Sequence, residues 1–176
     1  MGIKPGLVQV YTGDGKGKTT AACGLALRAA AHGLRVGFFR FFKPARTGEV
    51  TVLKKIRNIK VYHPFPGHPA FGKYSKIQSD ALYRSFPKAW EKVQQIIKKE
   101  KFDLVVLDEI LIALRDGFLP EEKLILFLEN KDENCELVLT GRPLPPEIAE
   151  KAQLISEIKA LKHPFPGIKA RKGIEF

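Results

Sequence analysis

The clearest chemistry in the chain lies in Gly13-Asp14-Gly15-Lys16-Gly17-Lys18-Thr19-Thr20. Glycines let successive backbone N–H groups converge, the first turn of a following helix adds its unpaired donors, and a lysine supplies a mobile positive charge. Such a set binds the phosphates of a nucleotide, with Lys18 on the phosphate charge and the Thr19 hydroxyl turned to a Mg2+ ion. The strict phosphate-loop pattern wants a glycine where this chain has Thr12. Glycines alone would also build a tight turn, but a turn has no reason to end in Gly-Lys-Thr-Thr. A second reactive pair is Asp108-Glu109, placed straight after an apolar run. One carboxylate, Asp108, would orient Mg2+ or its waters, and Glu109 would hold metal or position substrate; a helix cap is the alternative. Lys43, Arg46, Thr47 and Glu49 form a further polar cluster, an ordinary surface loop being its alternative, and Arg142 could meet phosphate.

The elements that must carry these groups follow from local pattern. The run Leu7–Tyr11 reads as a strand, and the Ala-rich stretch from Lys18 as a helix stopped by His32-Gly33. Leu34–Phe42 reads as a second, buried strand, and a helix-then-strand spacing predicts parallel crossovers. The expected fold is therefore α/β, three layers, with a mostly parallel sheet between helices. Strands at Ile59–Tyr62, Phe102–Leu107, Glu136–Leu139 and Leu154–Ile158 complete the sheet, with short helices at Val50–Arg57, Ile110–Leu114, Pro120–Glu129 and Pro146–Lys151. In such sheets ligands bind beyond the carboxyl ends of the strands, where all the polar clusters above would fall. Ile77–Glu100 has the apolar stripe of a helix, with Trp90 as core, and Pro87 is expected to kink or divide it.

Between strand and helix, His63–Lys76 is rich in proline and glycine yet aromatic, and could wall a flat apolar ligand. Its histidines lack a nearby carboxylate or cysteine to complete a metal set. Cys23 and Cys135 have no close partner in sequence and are expected to be reduced, partly buried thiols.

A chain of 176 residues suits one phosphate-loop domain, with the C-terminal tail packing as a cover through Phe165, Ile168, Ile174 and Phe176, or serving as an oligomer contact. The hydrophobic share of 44% and charged share of 28% are those of a soluble chain, and no run approaches the ~20 apolar residues of a membrane span. No apolar segment precedes the first strand, so a cytoplasmic location is expected. The net charge of +11 favours polyanions, ATP as much as nucleic acid, but the basic residues are too scattered for one nucleic-acid footprint. The lysines at 98, 99 and 101 read as a solvated helix end.

Taken together, TGDGKGKTTAACGLALRAAAHG (Thr12–Gly33), FFKPARTGE (Phe41–Glu49), VVLDEI (Val105–Ile110), LTGR (Leu139–Arg142) and the terminal ISEIKALKHPFPGIKARKGIEF resemble the ATP:corrinoid adenosyltransferases of the phosphate-loop type. That resemblance implies a RecA-like P-loop NTPase fold and a homodimer. It implies transfer of the 5'-deoxyadenosyl group of ATP to reduced Co(I) corrinoid, the substrate, with release of triphosphate. The family holds its triphosphate reversed relative to ordinary phosphate-loop hydrolases. By the same analogy Gly13, Gly15, Lys16, Gly17, Lys18, Thr19 and Thr20 bind triphosphate. Asp108 and Glu109 serve Mg2+ and substrate positioning, and Thr47 and Glu49, matching the family's TGE triplet, lie near the nucleotide. Thr19 as a metal ligand and Lys43 and Arg142 as nucleotide contacts rest on the loop motif and the sheet edge, and Lys18 and Glu109 are the catalytic candidates. Thr12 is then a family variant. The aromatics Phe65, Phe71 and Tyr74 are candidates for the corrin face. Where the family commonly has Lys-Gly-x-Trp, this chain has Lys43-Pro44-Ala45-Arg46. A corrinoid reductase is an expected partner, and a membrane is not.

Two other functions fit parts of the same sequence. A phosphate-loop ATPase or small-molecule kinase would use the loop and the acidic pair on the γ-phosphate. An ATP-dependent nucleic-acid or partner-binding module would account for the positive charge.

Overall fold

A computed structural model describes residues 4–44, 47–65, 67–69, 74–162, 167 and 170–174. Its centre is a six-stranded sheet in the order β3-β2-β4-β5-β1-β6, with every neighbouring pair parallel. The strands are β1 (Val8–Thr12), β2 (Val36–Phe41), β3 (Ile59–Phe65), β4 (Leu104–Asp108), β5 (Glu136–Thr140) and β6 (Leu154–Glu157). Parallel strands with both faces covered need apolar runs rather than alternation. Accordingly β2, β4 and β5 are buried at every position, whereas the edge strand β6 is exposed throughout.

Each face has its own core. On one side α1 (Lys18–Ala31) lays Ala22, Cys23, Ala26, Ala29 and Ala30 against Val36, Phe38, Leu104, Val106 and Val138, joined by Leu53 of α2 (Gly48–Leu53). Small side chains bring the α1 backbone close to the sheet, which keeps the glycine-rich loop at its start near the strand ends. The opposite face packs Phe39, Phe41, Val105, Leu107 and Leu139 against α3 (Lys76–Glu100), α4 (Ile110–Arg115), α5 (Glu121–Glu129) and α6 (Pro146–Lys151). Three layers of α/β architecture result, as the spacing of elements predicts.

Of the kink or division expected at Pro87, helix α3 rules out the division. It runs 25 residues without division, opened by a capping box in which Ser75 and Gln78 satisfy each other's backbone N–H groups. Pro87 lies on its exposed side, while Phe86, Trp90 and Val93 stay buried on both sides of it. Continuous burial of that stripe outweighs the one hydrogen bond that proline forfeits. Strand β3 likewise reaches Phe65, three residues beyond the expected end at Tyr62, because it stays paired to β2 past an irregularity between Phe39 and Phe41. Helix α2 begins at Gly48, so Glu49 stands in a first helical turn rather than in a loop. No described helix is long and apolar enough to cross a membrane.

Candidate functional site

The glycine-rich loop leaves β1 through Gly13 and enters α1 through Gly17, both at positive φ (97° and 126°), a backbone region costly for any residue with a Cβ. A Cβ at Gly13 would also stand 2.5 Å from the Ile158 carbonyl oxygen, since the chain leaving β6 crosses directly over the loop. That crossing is hydrogen-bonded: Gly15 N donates to Ile158 O at 2.7 Å and Ile158 N to Thr12 O at 2.9 Å. Thr12, where the strict pattern has glycine, is the buried last residue of β1. Lys18 Nζ reaches back over the loop to the carbonyls of Gly13 (2.5 Å) and Gly15 (2.9 Å). Burial, and next the nearby Arg142 guanidinium, hold its pKa below the usual lysine value.

Asp108 ends β4 with its side chain wholly buried among Thr19, Thr140, Lys43 and Arg40. Its Oδ1 accepts from Thr19 Oγ1 (2.9 Å) and from Thr140 Oγ1 (2.8 Å), and its Oδ2 from Lys43 Nζ (2.9 Å). Strand β5 lies between β1 and β4, and its last residue, Thr140, bridges the gap by also accepting the Glu109 backbone N–H at 2.8 Å. Glu109 sits in the left-handed region at φ 66°, where its carboxylate reaches Lys43 Nζ at 3.1 Å. A non-glycine residue there stores about 1–3 kcal/mol of backbone strain. Glu109→Gly is therefore expected to keep stability within about 1 kcal/mol of the parent, since glycine relieves that strain. Turnover should nevertheless fall at least tenfold, and parallel urea melts and rate assays separate the two effects. A stability loss above about 2 kcal/mol would instead make Glu109 a structural residue.

Lys43 is the hub of the cluster, donating also to Thr19 Oγ1 at 2.5 Å. Burial alone would depress its pKa, but the charges and hydrogen bonds of Asp108 and Glu109 outweigh that and raise it. It is therefore an ammonium ion. Arg40, which sequence reasoning passed over, is the other buried cation: fully enclosed, it donates Nη2 to Glu49 Oε1 at 3.0 Å and lies 3.8 Å from Asp108 Oδ2. A lone arginine inside VGFFRF was the available signal, because a charge buried in an apolar strand must have ionic partners nearby.

Gly15, Lys16, Gly17, Lys18, Thr19, Thr20, Lys43, Thr47, Glu49 and Glu109 all line one cavity of about 600 Å³, together with Arg40, Cys23, Gly173 and Ile174. Two lining groups, Arg40 Nε and Thr47 Oγ1, are buried without a hydrogen-bond partner among the described residues. Lys16 Nζ donates to the Ile174 carbonyl at 3.1 Å, so the tail supplies part of the wall. Cys23 lines the cavity with its thiol pushed up to about 12, chiefly by burial, and is no nucleophile at neutral pH. Both cysteines are free and buried.

Other expected site residues lie elsewhere. Arg142 is not among the cavity's lining residues; near Lys18, it pairs with Asp14 of the same loop at 2.6 Å. Phe65 is not on an open face: it is buried among Phe42, Phe86 and Phe118, where an apolar ring gains most. Tyr74 is exposed just before α3, and Phe71 lies outside the described residues, as do Arg46, Phe165, Ile168 and Phe176. His68 is buried against Phe42 and Phe118 with Nε2 2.7 Å from Asp116.

Among the described residues no three His, Cys, Asp or Glu side chains gather as a closed metal cage. The convergence of the Thr19 hydroxyl with the Asp108 and Glu109 carboxylates on one cation, the Lys43 ammonium, nonetheless fits Mg2+, which takes a few protein oxygens and completes its shell with phosphate and water.

A family model described as "ATP:corrinoid adenosyltransferase BtuR/CobO/CobP" matches residues 4–176. The chain is 37% identical to a corrinoid adenosyltransferase of Sinorhizobium over 175 residues, covering 97% of this chain and 80% of that protein. It is 34% identical to the corrinoid adenosyltransferase of Pseudomonas aeruginosa, covering 97% and 84%. With the corrinoid adenosyltransferase of Escherichia coli K12 it shares 30% identity, covering 97% and 86%.

Proposed function

The chain belongs to the ATP:corrinoid adenosyltransferase family, and from that premise we propose how its phosphate-loop cavity carries out the reaction. The enzyme transfers the adenosyl group of ATP to the cobalt centre of a corrinoid. In the proposed course a cobalt–carbon bond forms at C5' as the C5'–oxygen bond breaks. Both bonding electrons come from Co(I), and the triphosphate leaves with the pair of the broken bond. Such a nucleophile requires no general base. The protein's part is alignment, charge neutralisation and exclusion of water.

The observation that carries this reading is the convergence of three lysines, two carboxylates and two polar atoms without a hydrogen-bond partner among the described residues on one cavity over the phosphate loop. Gly13 to Thr20 would cradle the triphosphate, Lys18 would stabilise the charge that develops on its departing oxygen, and Arg40 and Thr47 would offer their free donors to the nucleotide. Thr19, Asp108 and Glu109 would hold Mg2+, which supplies further neutralisation of the triphosphate when bound. Glu49, clamped by Arg40, would be positioned toward the ribose side. A loop strand separated from the acidic strand by one inserted strand, β1-β5-β4, supports the RecA-like assignment. Exposed Tyr74, with Phe71, is proposed for the corrin face; Phe65 acts through packing beneath it.

The test is a product assay under strong reduction. Reduced cobalamin with MgATP should yield adenosylcobalamin and intact triphosphate in equal amounts. Formation of ADP and orthophosphate alone would instead favour the ATPase or kinase reading.

A further inference from the structure

We propose that the Lys43 ammonium and the magnesium ion are alternative occupants of one position, so that loading the metal drives Lys43 off its oxygens and onto the nucleotide's phosphates. The inference rests on the reading of the cavity given above and adds a gate to it.

Lys43 Nζ is held by Thr19 Oγ1 at 2.5 Å, Asp108 Oδ2 at 2.9 Å and Glu109 Oε1 at 3.1 Å. These are the same three side chains whose oxygens fit Mg2+. Magnesium draws its ligands in to about 2.0–2.1 Å, so oxygens that close round it leave no room for an ammonium among them. Two cations so close would also repel strongly in a poorly solvated site. One of them must leave, and the structure distinguishes which can. Arg40 is fully buried and fixed by Glu49 and the Pro44 carbonyl. Lys43 has a side chain 23% exposed on a flexible stem, and it faces the same cavity as Gly15–Thr20. A swing of the stem takes its charge from the carboxylates to the phosphate loop without unfolding any element.

Two consequences follow. Free divalent metal must compete with a tethered cation, so it binds poorly alone. With triphosphate present the displaced ammonium finds new partners, and metal and nucleotide bind cooperatively, each strengthening the other by the same factor. The site is thereby kept from filling with metal in the wrong order.

Mn2+ binding followed by electron paramagnetic resonance tests this without any corrinoid. In the absence of nucleotide, Lys43→Met should bind Mn2+ at least tenfold more tightly than the parent protein. The enhancement of Mn2+ affinity by inorganic tripolyphosphate should shrink by a similar factor. Equal or weaker Mn2+ binding by the variant would overturn the proposal. Should Lys43→Met fail to fold, Lys43→Gln, which keeps a donor for Asp108, is measured in the same way with the same criterion. A tightened Mn2+ site in a protein that failed the product assay would uphold the exchange and refute only the reaction assigned to the cavity.

Discussion

Asp108→Asn is expected to lower the unfolding free energy by about 3–5 kcal/mol, the range found when one partner of a buried ionic cluster is removed. The substitution is isosteric, so volume is not the cause. An asparagine whose Oδ1 keeps the Thr19 and Thr140 hydroxyls must turn its amide donors toward Lys43 Nζ and Arg40 Nε, donor against donor. The reversed amide orientation faces the two hydroxyls with donors instead, and Thr140 would lose its acceptor while still holding the Glu109 N–H. Either way a buried cation loses its counter-charge where water cannot replace it. Guanidinium unfolding of parent and variant measures the difference. A loss below about 1 kcal/mol would show that Lys43 and Arg40 are neutralised mainly by Glu109 and Glu49. Tripolyphosphate-assisted Mn2+ binding should weaken in the same variant, because the group that stabilises the fold is also a proposed metal ligand.

That double duty explains which parts of the site were legible in the sequence. Gly13–Thr20 is local: strand, turn and helix are consecutive, and the backbone requirement is written in the glycines themselves. Asp108-Glu109 was visible as acid after an apolar strand. Its meeting with Thr19, 89 residues away, depends on the strand order, in which β5 separates β1 from β4 and Thr140 spans the interval. No local pattern encodes that order. Arg40 escaped because its neighbours Phe38, Phe39, Phe41 and Phe42 made the strand read as core. Phe65 was misjudged for the related reason that proline and glycine around it suggested a loop, whereas pairing to β2 carries it into the aromatic core. Pro87 shows local propensity overruled by the packing of Phe86, Trp90 and Val93. Chemistry-bearing motifs were therefore readable where they are contiguous, and Arg40, the buried charge enclosed in an apolar strand, was not.

Lys18→Ala should reduce adenosyl transfer by roughly a hundredfold, equivalent to ~3 kcal/mol of lost transition-state stabilisation. In the structure its ammonium is parked on the Gly13 and Gly15 carbonyls, which a substrate phosphate can replace as acceptors at little rearrangement. Charge grows on the bridging oxygen as the C5'–oxygen bond breaks, so the interaction strengthens along the reaction and its loss should appear in kcat and kcat/KM alike. A rise in KM for ATP with unchanged kcat would reduce Lys18 to a binding contact. The pH profile gives a second readout. Burial and Arg142 lower the Lys18 pKa, and the ammonium is the active form, so activity of the parent should decline with rising pH sooner than an ordinary lysine would lose its proton. In Lys18→Ala that alkaline decline should vanish from the residual rate, because the group that titrates is gone. Lys18→Arg should not restore the parent rate: a planar guanidinium cannot occupy the space between two loop carbonyls and a phosphate that a compact ammonium fills. Only a point charge delivered by the helix start meets both demands, which is why the loop closes on lysine.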